Sequence, residues 1–327
     1  MLSRIAESLF WIGRYIERAD GTARILDVHL QLLLEDPWVD ESTACRSLLS
    51  VMGAANLEPD RELTRADVFA LLATNRQQPA SIAYSVNAAR ENARRAREIV
   101  STDLWEVLNT THARMPFGVR PEKVHDLFDW IRERTALAVG IVESAASRDD
   151  AYQFMILGRS LERADMTARL LATRSLTEAS GASWTTILRS CGAYEAYLRT
   201  YRGMPSAANA AEFLLLDRLF PRSILFSVST ALTCLYDIQP RHERQGRVGV
   251  TDQAQRLLGQ IQLTAIESRD AEEMQRIDMI RKQCENLSAD RLGLGAATAA
   301  IGGDSLRHER IGLLAVLLLQ PRILERA

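Results

Sequence analysis

Apolar residues recur every three or four positions from Leu2 to Leu33, and again from Phe154 to Leu171. This spacing places them on one face of an α-helix and predicts two long amphipathic helices. The first stripe consists of Leu2, Ile5, Leu9, Ile12, Ile16, Ala19, Ala23, Leu26, Leu30 and Leu33, and the second of Phe154, Leu157, Leu161, Ala164, Ala168 and Leu171. Small alanines at matched positions let helices approach closely, so we expect the two helices to pack against each other.

Helical periodicity continues along the rest of the chain, and no stretch shows the sustained alternation of a β-strand followed by a hairpin turn. Further helices are predicted near residues 42–52, 64–74, 80–112, 121–146, 184–201, 206–218, 222–237, 252–289 and 305–324. The breaks between them are short clusters of turn-forming residues. The fold class is therefore predicted to be all-α, as a multi-helix bundle within one domain, 1–327.

Polar residues also recur, at matched positions in the two predicted helices. The string GRYIERADGTARIL at 13–26 returns as GRSLERADMTARLL at 158–171, with ten of fourteen positions identical and an offset of 145 residues. A second pair, PASIAYSV at 79–86 and PRSILFSV at 221–228, follows in the same order with an offset of 142. Two matched blocks at nearly equal offsets predict an internal tandem duplication, with its copies related by pseudo-twofold symmetry.

The duplication divides the domain into three parts. We expect repeat one at about 1–145, repeat two at about 149–250 and a C-terminal helical extension at about 251–327.

The repeated charges fall into two groups on a helical wheel. One flank carries Gly13, Glu17, Asp20 and Arg24 in the first copy, and Gly158, Glu162, Asp165 and Arg169 in the second. The other side carries Arg14 and Arg18, or Arg159 and Arg163, which reach solvent or a neighbouring helix. We expect Glu17 and Glu162 to be less exposed than Glu7 or Glu98, with Arg18 and Arg163 as their leading partners.

Two interpretations of these charges stay open. Asp20 and Arg24 stand four residues apart in the favourable order, and semi-buried Glu–Arg pairs can fix the register of a helix bundle. Alternatively, Glu and Arg side chains from both copies face a shared cleft, where arginines hold carboxylates or phosphates and glutamates act as acid, base or metal ligand.

The remaining candidate chemistry is sparse. The five histidines have no spacing suited to a metal centre and the four cysteines lie far apart, so no metal site and no cofactor are predicted. A net charge of −2 gives no overall attraction to nucleic acid, and the apolar run at 311–319 is too short to span a bilayer. The first residues do not resemble a signal peptide, so we expect a cytoplasmic protein that binds neither nucleic acid nor membrane.

A run of mixed charge, ARENARRARE at 89–98, places Arg90, Arg94 and Arg97 on one helical face. Such a run is commonly a solvated face. An anion-binding or partner-docking face is the alternative, and base stacking is disfavoured because no aromatic residue interrupts the run.

Three blocks of the sequence resemble the alpha-E domain family, a bacterial helical family named for its ER motif. They are MLSRIAESLFWIGRYIERAD at 1–20, SIAYSVNAARENARRAREIVSTDLWEVLN at 81–109 and LGRSLERADMTARLL at 157–171. The motif carries over onto Arg14, Glu17 and Arg18 in the first copy, and onto Arg159, Glu162 and Arg163 in the second.

The resemblance implies partners rather than a chemistry. Members of this family accompany a circularly permuted ATP-grasp protein, a transglutaminase-like cysteine peptidase and, in some cases, a proteasome-like hydrolase. Such a set implies that a peptide or amide bond is made with ATP and later cut. The chain is then either a non-catalytic helical partner that binds the ligase or an anionic peptide, or an enzyme in which Glu17 and Glu162 act on an amide or acyl-phosphate.

Overall fold

The computed structural model describes residues 3–35, 40–54, 61–176 and 184–238, and the regular elements in these ranges are all helical. The α-helices are α1 Ser3–Glu35, α2 Glu41–Val51, α3 Arg65–Phe69, α4 Ile82–Arg95, α5 Thr102–Arg114, α6 Val124–Ala145, α7 Asp150–Leu176, α8 Trp184–Ser190, α9 Tyr194–Tyr201, α10 Ala207–Leu216 and α11 Ile224–Ile238. A π-helical turn, Ala70–Thr74, extends α3, and a 3₁₀ turn, Pro121–Lys123, precedes α6. The all-α prediction is thus confirmed for these ranges, whereas the helices predicted at 252–289 and 305–324 lie outside them.

Polar side chains begin several of the helices by accepting a hydrogen bond from a free backbone N–H. Asp40 accepts from Thr43 N ahead of α2, Ser81 from Tyr84 N ahead of α4 and Ser101 from Leu104 N ahead of α5. Thr64 and Asp67 exchange side-chain and backbone hydrogen bonds as a capping box at the start of α3. These caps explain why the chain turns into helix at these residues.

The single helix predicted over 80–112 is wrong, because the structure has two helices there, α4 and α5. Helix α4 ends at Ala96, whose backbone leaves the helical region with φ −102° and ψ 25°. Ser101 then caps α5, and its hydroxyl accepts a hydrogen bond from Leu104 N at 3.3 Å. The apolar period runs through this break, so periodicity alone does not reveal it, whereas the Ser-Thr-Asp sequence at 101–103 is a helix-start signal.

The helix predicted over 184–201 also divides in two, because Gly192 has a left-handed φ of +61° between α8 and α9. Ala193 N donates to Leu188 O and Gly192 N to Arg189 O, the pattern of a Schellman C-cap. Gly53, with φ +72°, ends α2 in the same way. Glycine tolerates this backbone conformation and other residues are strained in it.

The chain forms two compact units, each assembled from separated segments. The first unit contains residues 3–14, 147–168 and 211–238, which are the start of α1, most of α7, the end of α10 and α11. Its core is formed by the apolar faces of these helices: Ile5, Leu9, Ile12, Leu157, Leu161, Ala164, Phe213, Leu214, Leu225 and Val228. Gln153 Nε2 donates to Asp237 Oδ2 at 2.9 Å, which links α7 to α11.

The second unit contains residues 15–35, 40–54, 61–146, 169–176 and 184–210. Buried apolar residues of α1, the π-helical turn and helices α4, α5 and α6 form its core: Ile16, Ala23, Leu26, Leu72, Ile82, Ala89, Leu104, Phe128 and Ile131. The rings of Phe69 and Phe128 lie 6.0 Å apart and join α3 to α6. Across the described ranges, no helix combines the length and the apolar character required to cross a membrane.

Candidate functional site

The glycines of the two repeated strings lie at a close crossing of α1 and α7 within the first unit. A methyl group on Gly13 would overlap the carbonyl oxygen of Met155 and lie 2.9 Å from its carbonyl carbon. A methyl group on Gly158 would overlap the carbonyl oxygen of Phe10 and lie 2.9 Å from its carbonyl carbon. Each helix therefore presents a glycine to the backbone of the other, which only a residue without Cβ permits.

Beside this crossing, Arg14 of α1 forms a buried ion pair with Glu162 of α7. The distance from Arg14 Nε to Glu162 Oε2 is 2.6 Å, and the side chains are 0% and 2% exposed. A buried charge is costly unless it is paired, so each of these groups depends on the other. The pair ties the two long helices together at one register.

The remaining surroundings of Arg14 are mostly apolar. Its guanidinium carbon lies 6.0 Å from the ring centroid of Phe10 and 5.3 Å from that of Trp11. Nη2 lies 3.9 Å from Asp165 Oδ2, beyond hydrogen-bond distance, and neither Nη1 nor Nη2 has an acceptor among the residues that the structure describes. Arg14 is thus held by a hydrogen-bonded ion pair with Glu162, a longer ion pair with Asp165 and two aromatic rings.

The expected burial of Glu17 and Glu162 is confirmed. Glu17 and Glu162 are 3% and 1% exposed, whereas Glu98 is exposed and Glu7 is intermediate. Glu162 has Arg14 of the opposite helix as an ion-pair partner, whereas the pairing expected with Arg163 stays a prediction. The wheel shows angles around one helix and contains no information about the neighbour, so it could not choose between solvent and α7 for Arg14.

In the second unit, Asp20 and Arg24 of α1 pair with each other, and Asp20 also lies close to α6. Arg24 Nε donates to Asp20 Oδ2 at 2.9 Å, which confirms the pair expected from their spacing of four residues. Asp20 is buried, and Thr135 of α6 has its hydroxyl 3.5 Å from Asp20 Oδ1. Arg18 lies with its guanidinium carbon 5.2 Å from the Tyr15 ring. Asp20 and Arg24 therefore stabilise helix packing through local pairing.

Two arginines of the repeated strings lie over the left-handed glycines of the helix ends. A methyl group on Gly192 would be 3.4 Å from Arg24 Nη1, and one on Gly53 would be 3.5 Å from Arg169 Nη1. Arg169 Nη1 also donates to Val51 O at 3.4 Å. Both guanidinium groups thus cover the C-terminal ends of short helices, where free carbonyl groups attract positive charge.

The other proposed site residues differ in exposure. Asp165 is buried, whereas Arg18, Arg159 and Arg163 are of intermediate exposure. The anion-binding role assigned to these arginines from the sequence stays a prediction.

A second group of titratable side chains, which the sequence analysis did not single out, lies in the second unit. Burial lowers the pKa of His29 to about 4, although the nearby Glu41 carboxylate opposes the shift. Burial also raises the pKa of the Cys45 thiol to about 11, and Glu41 contributes to the same effect. Glu41 accepts hydrogen bonds from Arg65 N and Nε, and these lower the pKa of Glu41 against the effect of burial. The His29 imidazole and the Cys45 thiol are therefore both neutral at pH 7, which suits packing rather than acid–base chemistry or nucleophilic attack.

Metal ligation finds no support in this part of the chain. Within the ranges given above, no three side chains of His, Cys, Asp or Glu come together as a group that could hold a metal ion.

Comparison with known proteins identifies the family of this chain. A family model described as a predicted alpha-helical domain with a conserved ER motif matches residues 1–290. The chain belongs to the Alpha-E family. The resemblance described above assigns the ER motif to Glu17-Arg18 in α1 and Glu162-Arg163 in α7, and Glu162 is the carboxylate that pairs with Arg14.

The relatives of this Alpha-E chain include uncharacterised mycobacterial proteins. One from Mycobacterium bovis and two from Mycobacterium tuberculosis are each 26% identical over 262 residues, covering 72% of this chain. The match spans only 30% of each relative's own length. No solved structure matches the chain.

Proposed function

We propose that this chain is a non-catalytic helical partner in a system that forms and processes a peptide or amide bond with an ATP-grasp ligase. The observation that carries the proposal is the buried pair between Arg14 and Glu162. A carboxylate that is 2% exposed and held by a guanidinium at 2.6 Å is poorly placed to exchange protons with a substrate. The polar residues of α1 and α7 then serve to hold a rigid helical body that presents a binding surface.

The lengths of the relatives support a partner role. An Alpha-E region that fills 30% of a longer mycobacterial protein operates there within a larger polypeptide. A helical region that is one part of a longer protein acts beside the other regions of that protein, as a binding module does. The identity of the partner rests on the family resemblance, which implies a circularly permuted ATP-grasp protein and a transglutaminase-like cysteine peptidase.

We further infer that the fold arose by tandem duplication, with its copies related by pseudo-twofold symmetry. Equivalent residues make equivalent contacts within each unit. Thr22 Oγ1 donates to Ala80 O at 3.4 Å, and Thr167 Oγ1 donates to Arg222 O at 2.9 Å. The donors are offset by 145 residues and the acceptors by 142, the same offsets that separate the repeated strings.

The glycine contacts at the crossing of α1 and α7 also support the duplication. Gly13 lies against the backbone of Met155, and Gly158 lies against that of Phe10. Adding 145 to the numbers of Gly13 and Phe10 gives Gly158 and Met155, so each contact is the counterpart of the other with the helices exchanged. Two helices that cross with such an exchange are related by a local twofold axis.

Co-purification tests the partner proposal. The tagged full chain is expressed in its native host and recovered, and the bound proteins are identified by mass spectrometry. We expect an ATP-grasp protein to be enriched over a recovery from cells that express the tag alone. Repeated recovery of folded bait without an ATP-grasp protein would contradict the proposal.

Charge reversal tests whether the ER arginines contribute to that binding. The double variant R18E/R163E is expected to lose the partner, whereas R95E, an exposed arginine on α4, is expected to retain it. Circular dichroism and thermal melting must accompany the assay, because loss of structure would also abolish binding. If the double variant unfolds, the arginines are structural, and if it folds and still binds, the anion-binding role of this motif is wrong.

A second function is favoured by one observation, the two Arg14 Nη atoms that are buried without an acceptor among the described residues. Buried donors of this kind are rare, and a carboxylate or phosphate oxygen would satisfy them. In that case the chain acts on an amide or acyl-phosphate, with Glu17 and Glu162 as acid and base. E162Q would then remove phosphate release from a mixture of ligase and this chain while the ligase stays bound, whereas a purely binding partner would show no such separation.

A further inference from the structure

Three arginines and two aromatic rings form a continuous strip on the second unit, along α4, α5 and the loops beside them. We call the group Arg76, Arg90, Arg97, Trp105 and Phe117 the arginine strip. The guanidinium carbons of Arg90 and Arg97 lie 5.4 Å and 5.5 Å from the centroid of the Trp105 ring. The guanidinium carbon of Arg76 lies 4.3 Å from the centroid of the Phe117 ring, which is 84% exposed.

Polar contacts connect the two ends of the strip. Arg90 Nε donates to Asn109 Oδ1 at 3.1 Å, and Arg76 Nη2 donates to Met115 O at 3.1 Å. His112 of α5 is near enough to both arginines for their charges to act on it: burial lowers its pKa, and the charges of Arg90 and Arg76 lower it further. Trp105, Asn109 and His112 follow one face of α5 at spacings of four and three residues, so the helix itself aligns these groups.

Two of the three arginines in the strip have no carboxylate partner. Among the described residues, the ion pairs of this region join Arg90 and Arg94 to Glu91, and none includes Arg76 or Arg97. Both guanidinium groups lie against aromatic rings, which orient them, and each donates one hydrogen bond to a backbone carbonyl: Arg76 Nη2 to Met115 O and Arg97 Nη1 to Val100 O, the latter at 3.3 Å. The second terminal nitrogen of each group remains for a ligand. Guanidinium groups held in this way match the two oxygens of a carboxylate.

We propose that the arginine strip binds an acidic peptide segment, with carboxylates of that segment pairing with Arg76 and Arg97. The nearby acidic residues do not supply this pairing. Asp103 and Glu106 lie 160° and 100° around α5 from Trp105, at 100° per residue, and are exposed. Glu98 is exposed as well and forms no ion pair within the described ranges.

A peptide fits the strip better than a nucleic acid does. Bases bind to proteins by stacking on open aromatic faces, and here two guanidinium groups already lie against Trp105, so that only the Phe117 ring offers an open face. A net charge of −2 also opposes long-range attraction of a polyanion, whereas a short acidic segment needs only a few local ion pairs. This surface is separate from the ER motif, so the inference stands or fails independently of the ATP-grasp proposal.

Fluorescence anisotropy with the full chain tests the inference. The probes are a fluorescein-labelled poly-glutamate peptide, a Gly-Ser peptide of equal length and an oligo-uridine of equal charge. We expect the acidic peptide to bind and the Gly-Ser peptide not to bind. Tighter binding of oligo-uridine than of poly-glutamate, or no binding of poly-glutamate, would overturn the proposal.

A matched pair of variants separates the strip from overall charge. R76Q/R97Q removes the two arginines that lack a carboxylate, and R95Q/R114Q removes two exposed arginines outside the strip with the same change of net charge. We expect the first variant to weaken binding by about fivefold or more and the second to leave it within about twofold. Equal weakening by both variants would show attraction to net charge alone and would refute the strip.

Circular dichroism establishes that both variants fold. If R76Q/R97Q loses helical signal, the single variant R97Q gives the same test against R95Q, because both side chains are exposed. The expected effect is then about twofold. Equal affinities of R97Q and R95Q would count against the proposal.

Discussion

At the glycine crossing of α1 and α7, a glycine-to-alanine substitution should lower the stability of the protein, whereas the same substitution at a matched open position should raise it. G13A places a methyl group against the backbone of Met155, 2.9 Å from its carbonyl carbon. G140A introduces the same methyl group in the middle of α6, where nothing lies within 4 Å. Because both positions lie within helices, both variants gain helix propensity. Only the methyl group of G13A collides with a neighbouring backbone.

The size of the difference follows from these distances. Ordinary contact requires about 3.4 Å, so α1 and α7 must separate by at least about half an ångström around G13A. Over-packing of this kind costs about 1–3 kcal/mol, and the upper end applies because the obstructing atoms are backbone. Replacing glycine by alanine within a helix returns about 1 kcal/mol. We therefore expect G13A to lower the free energy of unfolding by about 2 kcal/mol and G140A to raise it by about 1 kcal/mol.

Urea unfolding followed by far-ultraviolet circular dichroism measures both changes. G158A should resemble G13A, since its methyl group meets the backbone of Phe10 at the same distance of 2.9 Å. The double variant G13A/G158A should lose less than the sum of the single losses, because the first methyl group has already separated the helices. A G13A protein as stable as wild type, or strictly additive losses, would refute the close crossing.

Three further predictions concern buried groups. R14M and E162Q should each lower the free energy of unfolding by about 3–5 kcal/mol, since each leaves its buried partner uncompensated, whereas E98Q on the surface should change it by less than about 0.5 kcal/mol in urea unfolding. The pKa of His29 is 6.5 in the unfolded chain and about 4 in the folded protein. At a pH between these two values, the His29 imidazole binds a proton in the unfolded chain but not in the folded protein. The free energy of unfolding should therefore fall by up to about 3 kcal/mol as the pH falls from 6.5 to 4. If His29 causes this loss, the H29Q variant should show a weaker dependence of stability on pH. An unchanged dependence in H29Q would exclude His29 as the cause. Cys45, with 0% exposure and a pKa raised to about 11, should resist iodoacetamide at pH 8 until the protein is unfolded, and peptide mapping that finds it alkylated in the native protein would contradict its burial.

The sequence predicted the helices well where period and caps agree, as for α2 and α11, which Asp40 and Ser223 cap. It failed at Ala96 and Gly192, where the apolar period continues through a break that only the cap residues mark. The burial of Glu17 and Glu162 could be predicted because a repeated polar string beside an apolar stripe indicates shared packing.

The partner of Glu162 could not be predicted in the same way. Arg14 reaches it from another helix, and that contact depends on how closely α1 and α7 cross. The arginine strip has a similar origin. Arg97 and Trp105 are eight residues apart in a stretch that periodicity treats as one helix, and only the turn between α4 and α5 brings the ring against the guanidinium.

The chain path has a consequence for synthesis on the ribosome. The first unit joins residues 3–14 to 147–168 and 211–238, so the apolar face of Ile5, Leu9 and Ile12 emerges long before the helices that cover it. At about 5–20 residues per second, the start of α1 waits on the order of ten seconds for α7. During that time its exposed face is a substrate for chaperones. Early termination anywhere before α7 therefore releases a fragment with an uncovered apolar helix, which cellular quality control should remove.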